Sequence, residues 1–197
     1  MRLLPSLTLY MALAISAIAA ASLTLPSLAT AGIAEIAALR QGDMKKLQFH
    51  SEPREVSQAE FLLADKAGKA TLADYQGKYI LLNFWATWCP PCRKEMPHLS
   101  ALQTAFGGDR FEVLTVATGR NSPSGIAEFF DSIAITNLPR HRDPRQKLAR
   151  GMAVFGLPIT VIINPEGQEI ARMRGDADWN SDSARAIIAA LIRETGS

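Results

Sequence analysis

The sequence predicts an α/β fold: a central mixed sheet flanked by helices, with an N-terminal hairpin and an extra strand/helix insertion. Three observations carry that prediction. Tyr79-Ile80-Leu81-Leu82-Asn83-Phe84-Trp85 is almost continuously apolar, as a strand buried on both faces should be. Segments with helical spacing then alternate with β-branched runs, the pattern of a sheet covered by helices. Finally, two extended runs flank the turn Asn164-Pro165-Glu166-Gly167, so the sheet ends in an antiparallel hairpin.

The 197 residues suit one domain with an extra piece at the N-terminus. Between Arg2 and Glu35 no residue is charged. An apolar run from Leu7 to Ile18 is followed by Pro26, and Ala29-Thr30-Ala31 supplies a small-x-small cleavage signal. Residues 1–31 therefore read as a secretory leader or an uncleaved membrane anchor, and either one exports the rest of the chain. Residues 32–55 form a lead-in: a short helix over 33–40, then a polar stretch over 41–57 without clear periodicity. The main domain spans 56–197.

Within the main domain, Phe61–Ala64 and Lys69–Thr71 form a small hairpin about the turn 65–68. Thr71 caps a helical turn over 72–75, and Gly77 ends it. After the apolar strand, Pro91 suits a first helical position, and a helix runs to Phe106 with Pro97 kinking it. Gly107-Gly108-Asp109 leads to a strand over 111–117. Ile126, Phe129, Phe130 and Ile133 have helical spacing, whereas 134–143 is irregular or a short strand and 144–150 a short helix. Ile159–Ile163 and Glu169–Met173 are the hairpin strands, and a helix over 181–192 closes the chain with Ile187, Ile188, Leu191 and Ile192 facing inward. A formal charge of +2 is too small to argue for nucleic acid or an anionic membrane surface.

The chemistry concentrates in Trp88-Cys89-Pro90-Pro91-Cys92, which holds the only two cysteines. A disulfide between them closes so short a loop that it constrains the unfolded chain little, which favours thiol–disulfide exchange or metal binding over a structural staple. At a strand-to-helix junction, free backbone N–H groups and the helix dipole stabilise a thiolate. Cys89, nearer solvent, attacks a substrate disulfide, and Cys92, one turn in, resolves the mixed disulfide. Pro90 and Pro91 carry no N–H, so the Cys89 thiolate is less stabilised and the couple more reducing. In an oxidising compartment such a dithiol needs an electron donor, which the export signal makes a membrane-bound partner.

Phe155-Gly156-Leu157-Pro158-Ile159-Thr160 places a proline just before a β-branched strand, where a cis Leu157–Pro158 bond makes a tight turn. With the segment Asn83 to Pro97, the Gly156-Leu157-Pro158 loop and the Asn164–Gly167 turn, the chain from about Val56 onward resembles the thioredoxin superfamily. The export signal and extra helix look like its TlpA-like branch. That resemblance implies a thioredoxin-like fold and an envelope thiol:disulfide reductase without a cofactor. It acts on protein substrates with cysteine pairs, such as apocytochrome c or copper-site proteins, as a monomer in the periplasm. It also implies a cis-proline loop facing the dithiol, so that Trp88, Pro90, Pro91, Leu157 and Pro158 bind substrate beside the catalytic Cys89 and Cys92. Two departures stand out: Asn83 replaces the buried aspartate of cytosolic relatives, and Ile159 a common threonine. Proton transfer at Cys92 then falls to Glu95, three residues on and on the same helix face.

The histidines His50, His98 and His141 are isolated, which argues against a metal site, with His98 a surface residue. Trp85 reads as core, Trp88 as a shield for the thiolate that presents a flat surface to partners, and Trp179 as a cap on the core. The basic cluster Arg140, Arg142, Arg145, Lys147 and Arg150 reads as a solvated face diluted by Asp143. A peroxidase is disfavoured by Ala86 at the site of a required hydroxyl. A copper-delivery protein and a dithiol oxidant of exported proteins are the rival readings.

Overall fold

The computed structural model describes residues 28–64 and 68–194, so residues 1–27 of the leader predicted over 1–31, and residues 65–67 of the predicted turn over 65–68, lie outside the described residues. In chain order the elements are α1 (Leu28–Ala38), a 3-10 turn (Gly42–Lys46), β1 (Gln48–Glu55), β2 (Phe61–Leu62), β3 (Lys69–Ala70) and a second 3-10 turn (Leu72–Tyr75). Then follow β4 (Tyr79–Trp85), α2 (Pro90–Phe106), β5 (Phe111–Thr118), α3 (Pro123–Ser132), β6 (His141–Asp143), α4 (Lys147–Gly151), β7 (Ile159–Ile163), β8 (Gln168–Arg174) and α5 (Asp182–Glu194).

The strands form one mixed sheet in the order β1-β8-β7-β4-β5-β6-β2-β3. β4 is central, parallel to β5 and antiparallel to β7. Every residue of β4 is buried, as its apolar run requires. Strand parity divides the core in two. Leu81 and Trp85 point to the face covered by α1, α2, α3 and α5, where Trp85 packs on Phe129 and Phe130. Ile80, Leu82 and Phe84 point to the other face, against Phe61, Leu148 and Met152. Each such side chain fully buried contributes about 1.5–3 kcal/mol.

Two expectations change. The stretch read as an aperiodic lead-in contains the 3-10 turn and edge strand β1, which pairs with β8 through a register break between Phe49 and Arg54. Helix α2 runs through Pro97 to Phe106, as expected; that residue is exposed, so its missing N–H falls on the solvent side. Helix α4 starts at Lys147 rather than Pro144, because the Asp143 carboxylate accepts from the N–H groups of Lys147 (2.9 Å) and Ala149 (2.9 Å). Asp143 is thereby buried, so it does not dilute the neighbouring basic side chains at the surface.

Candidate active site

Cys89 lies where β4 gives way to α2 and is the N-cap of that helix. The approach is fixed: Cys89 N–H donates to Ala86 O (3.1 Å), and the N–H and hydroxyl of Thr87 donate to Asn121 Oδ1 (2.8 and 3.0 Å). Cys89 is joined to Cys92 in a disulfide. Its Sγ also accepts from the Cys92 N–H at 3.3 Å, the first amide available after two prolines. Cys89 is 5% exposed and Cys92 0%, so one sulfur is marginally open to solvent and the other closed.

The Leu157–Pro158 bond is cis, as the sequence suggested. Its loop shares a groove of about 550 Å³ with the dithiol, lined by Trp88, Cys89, Pro90 and Pro91 on one side of the sequence and Phe155, Gly156 and Leu157 on the other. Pro158 itself lines an adjoining groove that shares Phe155, Gly156 and Leu157. Trp88 is 62% exposed, which suits a flat contact surface beside the sulfur rather than a closed cover over it.

Glu95 is 1% exposed. Its place follows from two periodicities. In α2 the buried positions are Cys92, Glu95, Met96, Leu99 and Leu102, so Glu95 sits within the apolar stripe one turn below Cys92. In β4, Asn83 has the parity of Leu81 and Trp85 and faces the same side. Its Nδ2 donates to Glu95 Oε1 (2.8 Å) and to Oγ1 of Thr160 (3.0 Å), its register partner on β7. The Ala177 N–H donates to Glu95 Oε2 at 3.3 Å. Burial pushes the Glu95 carboxyl up to about 7, against the pull of Asn83, Ala177 and the Trp179 indole, while Asp176 adds to the rise. The Trp179 N–H acts at a position outside regular hydrogen-bond geometry. A buried acid that titrates near neutrality can take or return a proton in this compartment of the core. Among the described residues Asn83 Oδ1 is buried without a donor, so a flipped amide could accept from the protonated acid.

The structure thus brings Cys89, Cys92, Trp88, Pro90, Pro91, Leu157 and Pro158 around connected grooves, with Glu95 behind Cys92. Sequence reasoning missed the parts that hold them. Asn83 stands out in sequence only as a replacement for an aspartate, although strand parity turns it toward α2. The Asn121, Thr160 and Ala177 contacts have no local sequence signal, because each joins residues 34 or more positions apart. Elsewhere, His98 Nδ1 lies 2.8 Å from Asp178 Oδ1 at the surface, and Trp179 is buried in the core as expected. Among the described residues no group of three or more His, Cys, Asp or Glu side chains is placed to hold a metal ion.

The comparisons with known proteins agree with this geometry. A family model described as the AhpC/TSA family matches residues 56–171. Over 116 residues the chain is 35% identical to the thiol-disulfide oxidoreductase ResA of Bacillus subtilis, covering 58% of this chain and 64% of that one. The chain therefore spans a little under two thirds of that relative's length. Among solved structures, it is similar to the pneumococcal exposed lipoprotein thioredoxin of Streptococcus pneumoniae, with 27% identity, a TM-score of 0.55, and coverage of 70% of this chain and 99% of that one. A putative thiol:disulfide interchange protein DsbE from Chlorobium tepidum aligns at 25% identity and TM-score 0.59, covering 70% and 97%. The fold is thioredoxin-like.

Proposed function

The chain belongs to the AhpC/TSA family, and from that premise we propose that it is a thiol:disulfide oxidoreductase working through Cys89 and Cys92. One observation carries the reading: a disulfide at a helix N-terminus opens on a groove beside a cis-proline loop, with a buried acid one turn behind its closed sulfur.

In the reducing direction, the Cys89 thiolate attacks one sulfur of a client disulfide and forms a mixed disulfide, releasing the first client thiolate. The Cys92 thiol passes its proton to the Glu95 carboxylate, and the resulting thiolate attacks Cys89 Sγ. The second client thiolate leaves, the Cys89–Cys92 disulfide closes, and two electrons have gone to the client. Trp88, Pro90, Pro91, Leu157 and Pro158 hold the client segment in the groove. Return to the Cys89 thiolate and Cys92 thiol requires two electrons, which a membrane-bound donor supplies, while Cys92 takes its proton back from Glu95.

The physiological direction we propose is reduction of envelope proteins, in cytochrome c maturation or copper-site assembly. Two prolines that, among the described residues, leave Cys89 Sγ with the Cys92 amide alone favour a reducing couple, and the uncharged N-terminal stretch favours export. Similarity to an exposed lipoprotein of Streptococcus pneumoniae points the same way. We place the protein in the periplasm as a monomer, with residues 1–31 as leader or anchor, 32–55 as lead-in and 56–197 as the catalytic domain.

A Cys92→Ser variant should trap clients as mixed disulfides on Cys89. Apocytochromes or copper-site proteins among the trapped partners support the reductase. A broad set of secreted proteins would instead indicate an oxidant, and no trapped protein under oxidising conditions would remove the exchange reading.

A further inference from the structure

The charged rim of the dithiol groove carries one sign. The groove is continuous with two others. One shares Trp88 and Gln146 and adds Arg120; the other shares the Phe155–Leu157 loop and adds Arg174. Arg150 lines the first groove itself. Among the described residues these three arginines are the only charged side chains lining the three grooves, and no carboxylate lines any of them.

All three are exposed, and among the described residues none of their guanidinium groups is in an ion pair. Arg150 Nη2 donates to the Arg145 carbonyl, which leaves its charge unopposed. The acids adjacent in sequence are already committed. Asp143 is buried under the start of α4, and Asp176 pairs with Lys94 at 3.3 Å. Amid these cations stand the exposed aromatic rings of Trp88 and of Phe155, the latter 88% exposed. Aromatic surface ringed by unpaired charge of one sign is the pattern of a recognition surface, since a complementary partner relieves both the apolar exposure and the mutual repulsion.

The geometry points to a client segment that is extended and acidic. Its cysteine meets Cys89, an apolar side chain rests against Trp88 or Phe155, and Asp or Glu residues on either side reach Arg120, Arg150 and Arg174. This assignment rests on thiol exchange at Cys89 and adds the class of substrate. The arginines position the client and do not touch the reacting sulfurs.

The test uses three peptides that differ only in the residues flanking one cysteine (Glu, Gln or Lys), each carrying that cysteine as a mixed disulfide with 2-mercaptoethanol. Reduced protein is mixed with each, and single-turnover rates are read at low and high salt. The Glu peptide should react about tenfold faster than the Lys peptide at low salt, and the ratio should collapse at high salt. In the triple variant R120E/R150E/R174E the preference should reverse, a ratio within one protein that does not depend on its total active fraction. Equal rates for the Glu and Lys peptides at low salt would overturn the assignment. Hydroxyethyl disulfide, small and uncharged, separates the two levels: if it is still reduced, exchange at Cys89 stands and only the acidic-client assignment falls; if nothing is reduced, both fall. Sedimentation with phosphatidylglycerol vesicles, lost in the triple variant while the peptides react alike, would make the rim a lipid-facing surface and likewise overturn the proposal.

Discussion

Glu95 shows how one side chain can set a pH dependence. Its ordinary carboxyl value of 4.5 is pushed up to about 7, so the folded protein holds the proton more tightly than the unfolded chain. The corresponding stability is fully present below about 4.5 and is lost as the pH rises through about 7, a loss of about 3 kcal/mol for this raised carboxyl at 1.36 kcal/mol per tenfold change in proton affinity. Urea unfolding at pH 5 and pH 8 should show this fall in the natural protein and not in Glu95→Gln, and the rate of disulfide exchange should lose an inflection near 7 in the same variant. Matching pH profiles in the two proteins would remove Glu95 from the proton path. The sequence made part of this legible. Three-residue spacing put Glu95 on the face of Cys92, but burial depends on the Asn83 amide and the Ala177 N–H, which reach it from distant segments.

Edge strand β1 is held to β8 by a buried network more than by apolar packing. Glu169 accepts from Arg172 Nε (2.8 Å) and Nη2 (2.6 Å), and pairs with His50 Nε2 (2.7 Å). Burial alone would push the Glu169 carboxyl up, but the hydrogen bonds and charges of Arg172 and His50 hold it below the usual carboxylate range. Its contribution is present above that range and is lost as the pH falls through the lowered value. Replacing one partner strands the others, at a cost of about 3–5 kcal/mol. Glu169→Gln should therefore lower the unfolding midpoint and speed hydrogen exchange across 48–55, where β1 is mostly exposed and has little else to hold it. Unchanged exchange there would mean the strand is held by its ladder alone. The same features hid β1 from sequence: its residues are polar without alternation, Pro53 interrupts it, and its register breaks after Phe49. The strands β4, β5 and β7 were legible because their apolar runs are bounded by turn residues, and β8 because the Asn164–Gly167 turn pairs it with β7.

At the scale of the molecule, stability lies in two apolar cores on the faces of one sheet, and the dithiol contributes little. Cys89 and Cys92 are three residues apart, and closing so short a loop is worth about 2 kcal/mol at most in the chain-entropy picture. Reduction should leave the protein folded, with a denaturant midpoint shifted by no more than that. Leu82→Ala, in the second core, should cost about 2–5 kcal/mol by transfer and cavity terms together. A reduced form that unfolds more readily than Leu82→Ala would contradict this division of labour. The global architecture was readable because strand and helix periods alternate along the chain. The inward turn of Asp143 was not, because a carboxylate that caps a helix looks in sequence like any surface acid.

The seating of Cys89 at the end of the wholly buried strand β4 has an entropic side. The chain's ordering loss at the reactive sulfur is settled when the core forms, before any client arrives. A mixed disulfide then draws its remaining cost of alignment from the partner's freedom, as pre-organisation requires.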